Sequence, residues 1–377
     1  MNYRFDKIAF NSTAKKTPTE SDKEHYIGLE HIDSECLEIT RWGSDVAPIG
    51  EKLIMKKGDV LFGKRRAYQR KLAIAPFDGI FSAHGMVLRP NEEVVDKNYF
   101  PFFMSSDLFM ERAVQISVGG LSPTINWKDL REQEFPLPSL AEQKVLADKL
   151  WAAYRLKESY KKLLTATEEM VKSQFVEMFD NPLSQVQRYP LEKLGDCCVL
   201  NPRRPSISLS DTDMVSFVPM PCVSENGYLQ DVADEEYGKV KKGFTYFENK
   251  DVLFAKITPC MENGKGAIAQ ELTNGIGMGS TEFHVLRPIE GKSNSYWLLA
   301  LTRMPIFREQ ASKNMSGTGG QKRVGAPFLD NFMVGLPPIE EQNRFERIYR
   351  QADKSGFELR ESIKSIDKVI KSLINII

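Results

Sequence analysis

The chain repeats itself, and each repeat runs into a heptad-patterned segment. Any fold it adopts must therefore hold two similar globular units and two long helices. Pro136-Leu-Pro-Ser-Leu-Ala-Glu-Gln143 is matched by Leu336-Pro-Pro-Ile-Glu-Glu-Gln342, with the two glutamines 199 residues apart. Gly58-Asp-Val-Leu-Phe-Gly-Lys64 returns as Lys250-Asp-Val-Leu-Phe-Ala-Lys256, and Met86-Val-Leu-Arg-Pro90 returns as His284-Val-Leu-Arg-Pro288, at offsets of 192 and 198. The order is the same in both copies. The drift in offset places an insertion of about six residues between these segments in the second copy, where a loop absorbs it.

A length of 377 residues accommodates two or three domains. With 41% hydrophobic and 27% charged residues the chain has the make-up of an ordinary globular protein. It carries no apolar run of ~18 residues, and Met1-Asn-Tyr-Arg-Phe-Asp6 lacks the apolar core of a signal peptide, so a cytoplasmic location without membrane segments is expected. Cys36, Cys197, Cys198, Cys222 and Cys260 show no Cys-x-x-Cys spacing and read as reduced packing residues. Basic and acidic residues balance at 51 each, so attraction for a polyanion has to come from local clusters.

Each copy divides into a β-rich part and a helix, an α+β organisation. Lys52–Met55, Asp59–Phe62, Leu72–Ala75 and Gly85–Leu88 are short apolar runs bounded by Gly, Pro and Asp, which predicts strands of one compact sheet. Asn98 to Val114, and Ser295 to Ala311 in the second copy, read as one or two helices on that sheet. The Gly-rich segments that follow, Ser117 to Thr124 and Ser316 to Arg323, match neither a Walker loop nor a dinucleotide fingerprint.

After each Pro-rich exit the period changes. Leu146, Leu150, Ala153, Lys157, Tyr160, Leu164, Thr167 and Val171 alternate steps of four and three, an a/d seam that Phe175 and Met178 extend after one slip. Phe345, Tyr349, Ala352, Gly356, Leu359, Ile363, Ile366, Ile370, Leu373 and Ile377 keep the alternation to the end. Two matching stripes predict that the helices pair with each other, antiparallel because the first has to turn back near Asn181-Pro182, with Ala153, Ala352 and Gly356 allowing close approach. A helix of about 33 residues spans roughly 50 Å.

Catalytic constellations are missing from the sequence. His25, His31, His84 and His284 include no i, i+4 pair, so neither a metal site nor a cofactor is expected. No Gly-x-Ser-x-Gly elbow occurs, nor the Asn/Asp-Pro-Pro-aromatic motif of aminomethylating enzymes. Asp59 and Asp251 recur at strand starts, where a structural turn role is the better reading.

Basic residues cluster instead. Lys64, Arg65, Arg66, Arg70 and Lys71, with Tyr68 and Gln69, form an acid-free run after the Asp-Val-Leu-Phe strand. The matching loop of the second copy holds Lys256 and Lys265 and is longer and less basic. Arg203, Arg204, Lys313, Asn314, Gln321, Lys322 and Arg323 are further candidates, since Arg, Lys, Asn and Gln reach phosphates and base edges.

In this order of parts the chain resembles the specificity subunits of type I restriction-modification systems. The likeness rests on both Pro-rich exits and on the run Gly120-Leu-Ser-Pro-Thr-Ile-Asn-Trp-Lys-Asp-Leu130, and it covers almost the whole chain. The second exit, Arg323 to Asp330, follows the pattern less closely. The resemblance implies two mixed α/β target-recognition domains, residues 1–139 and 181–338, joined by two long antiparallel helices, 140–180 and 339–377, that form a coiled coil. It implies that each domain reads one half of a bipartite double-stranded DNA target and that the helices set the gap. Two modification subunits that methylate adenine are the implied partners, and restriction subunits can join them; the chain itself would be non-catalytic. The competing reading is an adaptor whose two binding domains hold proteins rather than DNA.

Overall fold

The computed structural model describes residues 1–182, 184, 187–318 and 320–375. By contact the chain divides into two units, Met1–Lys162 with Arg360 onward, and Leu163–Leu359, so that each unit holds one copy and part of both long helices.

In the first unit two four-stranded sheets replace the single expected one. The first is antiparallel, in the order Ala9–Ser12, Met86–Pro90, Val60–Phe62, Leu72–Ile74. The second runs Lys15–Lys16, Lys52–Met55, Gly79–Phe81, Tyr26–Ile27, and its last pair is parallel. Val60, Leu61 and Phe62 are all buried, which fits a strand covered on both faces. Phe62 faces the aromatic core of Phe5, Phe103, Phe109 and Phe135, whereas Leu61 belongs to a second cluster with Ile27, Met55 and Phe81. The helical stretch after the sheet is broken into Phe100–Ser105 and Asp107–Gln115, where extended Ser106 ends one helix and caps the next through its hydroxyl, accepting from Phe109 N at 3.1 Å.

The second unit repeats the design. Its antiparallel sheet is Cys198–Leu200, Phe283–Pro288, Val252–Ala255, Gly266–Ile268, and its mixed sheet is Ala233–Glu236, Met214–Val218, Ile276–Gly279, Thr245–Glu248. Helices Ser295–Arg303 and Pro305–Lys313 follow.

The repeated motifs are structural devices. Asp59 is buried and takes a bidentate pair from Arg89 of the neighbouring strand, at 2.7 and 2.9 Å, while accepting from Lys56 N. Asp251 and Arg287 do the same at 2.8 and 2.8 Å. Each carboxylate pushes its arginine's pKa further up through hydrogen bonding, and the turn role read for these aspartates is met. Gln143 is buried, accepts from Asp96 N and donates to the carbonyls of Val94 and Pro138; Gln342 accepts from Asn294 N and donates to those of Lys292 and Pro337. Each glutamine thereby pins the start of a long helix to the loop before a core helix.

The long helices span Leu140–Phe179 and Ile339–Ile374, 40 and 36 residues. The first begins at the Pro-rich exit itself, because Ser139 and Glu142 close a capping box, with Glu142 Oε2 2.9 Å from Ser139 N and 2.8 Å from its hydroxyl. The helices pack together in an antiparallel sense. In the first unit Lys157 meets Asp367 at 2.5 Å while Leu150 and Tyr154 share a core with Ile370 and Ile374. In the second, Phe175 and Phe179 flank Phe345, both at 5.5 Å between ring centres.

The predicted seam is the inward face: Leu150, Phe175, Phe345, Tyr349, Ala352, Gly356 and Ile370 are buried, and Leu146, Ala153, Tyr160, Leu164, Val171, Leu359, Ile363 and Ile366 are half-buried. The seam position Ile377 lies outside the described residues. Sequence periodicity misses Tyr154 and Trp151, which turn toward the first globular copy: Tyr154 Oη accepts from Leu37 N and Glu38 N, and Trp151 Nε1 donates to Asn98 O.

Candidate nucleic-acid interface

In both copies the loop leaving the central strand meets the Gly-rich hairpin in the same way. Ile125 N donates to Lys64 O at 2.9 Å and Val324 N to Lys256 O at 2.9 Å; Arg66 N donates to Pro123 O at 2.7 Å and Thr258 N to Lys322 O at 3.0 Å. Bridges join Arg65 to Thr124 and Ile257 to Arg323. The turn before the Val-Leu-Arg-Pro strand completes each junction, with His84 O accepting from Arg65 N and Glu282 O from Lys256 N. The hairpins close at Val118 with Thr124, and at Ser316 with Arg323.

The structure sorts the sequence candidates by what their charges already face. In the first copy Arg65, Arg66 and Tyr68 are exposed, Lys64 and Gln69 half-buried. Lys64, Arg65 and Arg66 have no carboxylate partner among the described residues; the Arg66 guanidinium reaches only Ser122 Oγ, at 3.3 Å. Partial burial and then Lys15 lower the pKa of Lys64. Arg70 and Lys71 turn inward instead: Arg70 pairs with Asp107 at 2.8 Å and donates to Ser105 O, and Lys71 Nζ donates to Leu29 O at 2.6 Å. Arg66 and Arg70 both sit in the left-handed region, φ 57° and 51°, and bracket the single 3₁₀ turn Ala67–Gln69 that aims the two halves of the run apart.

In the second copy Lys256 is half-buried, and Gln321 and Lys322 are exposed on the hairpin. Arg323 is held by Glu282 at 2.8 and 2.9 Å, and this pairing draws the pKa of Glu282 down. Lys265 donates to Met220 O, Arg204 to Lys241 O, Lys313 pairs with Glu309 at 2.6 Å, and Asn314 donates to Gln310 O. Arg203 is exposed on the chain leading into the mixed sheet. The junction thus collects Lys64, Arg65, Arg66 in one copy and Lys256, Gln321, Lys322, Arg323 in the other. Sequence reasoning missed the first hairpin, Ser117 to Thr124, whose glycines signalled a turn but whose short polar side chains carried no charge.

No group of three or more His, Cys, Asp or Glu is placed to hold a metal among the described residues. Burial pushes the Cys197 and Cys198 thiols up to about 11 and about 12, so both are protonated packing groups. His284 is buried in the strand beside the second junction, donating from Nε2 to Val324 O at 2.9 Å and accepting at Nδ1 from Asn201 at 3.0 Å, an arrangement of a neutral ring.

The chain is 34% identical over 189 residues to the type I restriction enzyme EcoEI specificity subunit of Escherichia coli, covering 48% of this chain and 31% of that one. It is 36% identical over 176 residues to the EcoAI specificity subunit of the same species, covering 45% and 30%. These matches span about a third of those relatives. A longer match, 21% over 352 residues, links it to the StySPI specificity subunit of Salmonella potsdam, with 87% and 74% covered. In fold it is similar to the type I restriction-modification S subunit from M. genitalium, with a TM-score of 0.60 at 12% identity over 99% of this chain and 94% of that one. A chain solved in work on assembly and conformational transition of the type I R-M system gives 0.52 at 18% identity, covering 100% and 96%. The type I restriction modification DNA specificity domain matches residues 10–168 and 193–366, nearly the whole length, and the chain belongs to that family.

Proposed function

We propose that each globular copy, within residues 1–139 and 181–338, reads one half of a bipartite sequence in double-stranded DNA, and that the helices 140–180 and 339–377 set the gap. The observation that carries this reading is the junction built twice from the same backbone contacts but different side chains. It leaves Lys64, Arg65 and Arg66 without carboxylate partners among the described residues of one copy and puts Gln321 and Lys322 on an exposed hairpin in the other. Such side chains hold phosphates and read base edges, and a shared frame with different contents suits two different half-sites.

The chain is non-catalytic in this reading. Methyl transfer to adenine belongs to two modification subunits, and ATP-driven cleavage to restriction subunits that can join them. Support for a helical partner comes from Leu163 and Met170, one heptad apart on the first long helix, which are 53% and 42% exposed and lie off the paired seam. No helix among the described residues is long and apolar enough to cross a membrane, and the reading places the chain in the cytoplasm with its DNA.

Exchanging residues 1–139 for the corresponding segment of a relative tests the reading. One half of the methylated motif changes while the other half and the gap stay; a change in both halves, or in neither, contradicts it.

A further inference from the structure

The tip of the first Gly-rich hairpin carries the most exposed large apolar side chain among the described residues, Leu121 at 98%. A lone exposed leucine conveys nothing by itself. This one stands out because the loop around it is fastened. Val118 and Thr124 close the hairpin with paired backbone bonds of 3.0 and 2.9 Å. Arg66 then clasps the far side, donating from its backbone N to Pro123 O at 2.7 Å and from its guanidinium to Ser122 Oγ at 3.3 Å. Gly119, at φ +115°, makes the turn that lifts the tip, a conformation a side-chain-bearing residue adopts only under strain. Leu121 is therefore presented by a held loop, and the residue that holds it belongs to the Lys64, Arg65, Arg66 cluster, which lacks carboxylate partners among the described residues.

A fixed apolar tip set among uncompensated cations suits one kind of surface, a polyanion with an apolar interior that can open. Duplex DNA has this make-up: phosphates outside, stacked bases within, and base steps that part when a leucine, isoleucine, methionine or phenylalanine is driven between them. Leucine offers no hydrogen bond, so the one base-edge group it can meet is the thymine methyl. Its contribution at such a surface is steric and apolar.

We propose that Leu121 is a wedge that enters the base stack of the half-site held by the first copy, opening one base step while Lys64, Arg65 and Arg66 engage the adjacent phosphates. The inference rests on the DNA-reading function proposed above and adds a distortion to it. It is also asymmetric. The second hairpin closes at Ser316 and Arg323, and its loop residues Gly317, Thr318, Gly320, Gln321 and Lys322 include no apolar side chain, so the second half-site keeps its stacking.

The test uses the full chain assembled with its modification subunit and the bipartite duplex recovered by methylation mapping, with 2-aminopurine placed in turn at each step of both half-sites. Apart from the methylated adenines, which a methyltransferase flips out of the stack, binding of the unaltered chain raises fluorescence at one further step, in the half-site whose readout Arg65→Ala and Arg66→Ala disturb, and at no further step of the other. Leu121→Ala and Leu121→Ser abolish that rise and weaken binding about tenfold, and Leu121→Met restores both. At nearly full exposure, neither loss can be assigned to misfolding. A duplex that stays stacked at every step other than the methylated adenines, or a further rise that survives Leu121→Ala, overturns the wedge; if Arg65→Ala and Arg66→Ala still weaken binding, the DNA-reading function stands without it. Failure to recover any duplex bound in preference to random DNA overturns both.

Discussion

Asp107 and Asn375 exchange two hydrogen bonds across 268 residues of sequence: Asn375 Nδ2 donates to Asp107 Oδ2 at 3.1 Å, and Asp107 N donates to Asn375 Oδ1 at 3.3 Å. The last turn of the second long helix is thereby tied to the first turn of a core helix in the first unit. Asp107 also holds Arg70, at the end of the basic loop, so one carboxylate joins the helix end to that loop. Asn375 is exposed and Asp107 half-buried, whereas Ile370 and Ile374 just below are buried in the core with Met110 and Tyr154.

The apolar layer should therefore dominate. Asn375→Ala is expected to cost at most about 1 kcal/mol, and Ile370→Ala about 2–4 kcal/mol, in urea unfolding followed by tryptophan fluorescence. Equal costs would mean that the polar tie, not the packing, fixes the helix end.

The buried aspartates of the repeat are expected to be the most sensitive polar positions. Asp251→Ala takes the bidentate partner from Arg287, whose side chain is 26% exposed and keeps an ion pair with Glu248 at 3.3 Å, and should cost about 2–3 kcal/mol; Asp59→Ala should cost less, because Arg89 at 40% regains water. Thermal unfolding of the two variants decides the order, and the reverse order contradicts it.

Much of this was legible in the sequence, and the reason is physical. The Asp-Val-Leu-Phe and Val-Leu-Arg-Pro segments are recognisable because they form one buried ion pair between adjacent strands, and Glu-Gln because the glutamine satisfies three backbone groups at a helix start. The seam was legible because heptad spacing maps directly onto one helix face. Strands such as Lys15–Lys16 and Tyr26–Ile27 escaped because two residues carry no period, and with them the division into two sheets. The site was half legible: composition found the Lys64 to Lys71 cluster, but only the left-handed backbone at Arg66 and Arg70 shows that Arg70 and Lys71 point inward.

The sorting of cations predicts salt dependence. Arg65→Ala and Arg66→Ala should each lower the slope of log affinity against log salt by about 0.9, the share of one phosphate contact. Lys313→Ala should leave the slope unchanged, since Glu309 already neutralises that ammonium. Fluorescence anisotropy between low and moderate salt measures all three, and a slope lost at Lys313 would contradict the assignment.

The exposed heptad pair on the first helix predicts assembly. Leu163→Lys with Met170→Lys should reduce co-purification of the modification subunit at least about tenfold, with the melting temperature nearly unchanged because both sites are already in water. Undiminished co-purification would move the partner's contact elsewhere.

His284 predicts a pH response. Burial lowers its pKa from the ordinary 6.5, and the hydrogen bond to Val324 O offsets this only in part. Protonation is harder in the folded chain than in the unfolded one. The stability this gives is complete above about pH 6.5 and is lost as pH falls through the lower folded value. Denaturant midpoints should drop below pH 6.5 in the parent and fall less steeply in His284→Met, the residue type the first copy carries at Met86. Parallel curves would remove His284 as the source.

Two different reading units on one chain call for a target in two separate parts. The most direct measurement is to co-express the chain with its modification subunit, expose the complex to a random-sequence DNA library, and map the methylated adenines. The expected result is a motif of two specified parts separated by a fixed, unspecified gap. A single continuous motif, or methylation without sequence preference by a stable complex, would contradict it.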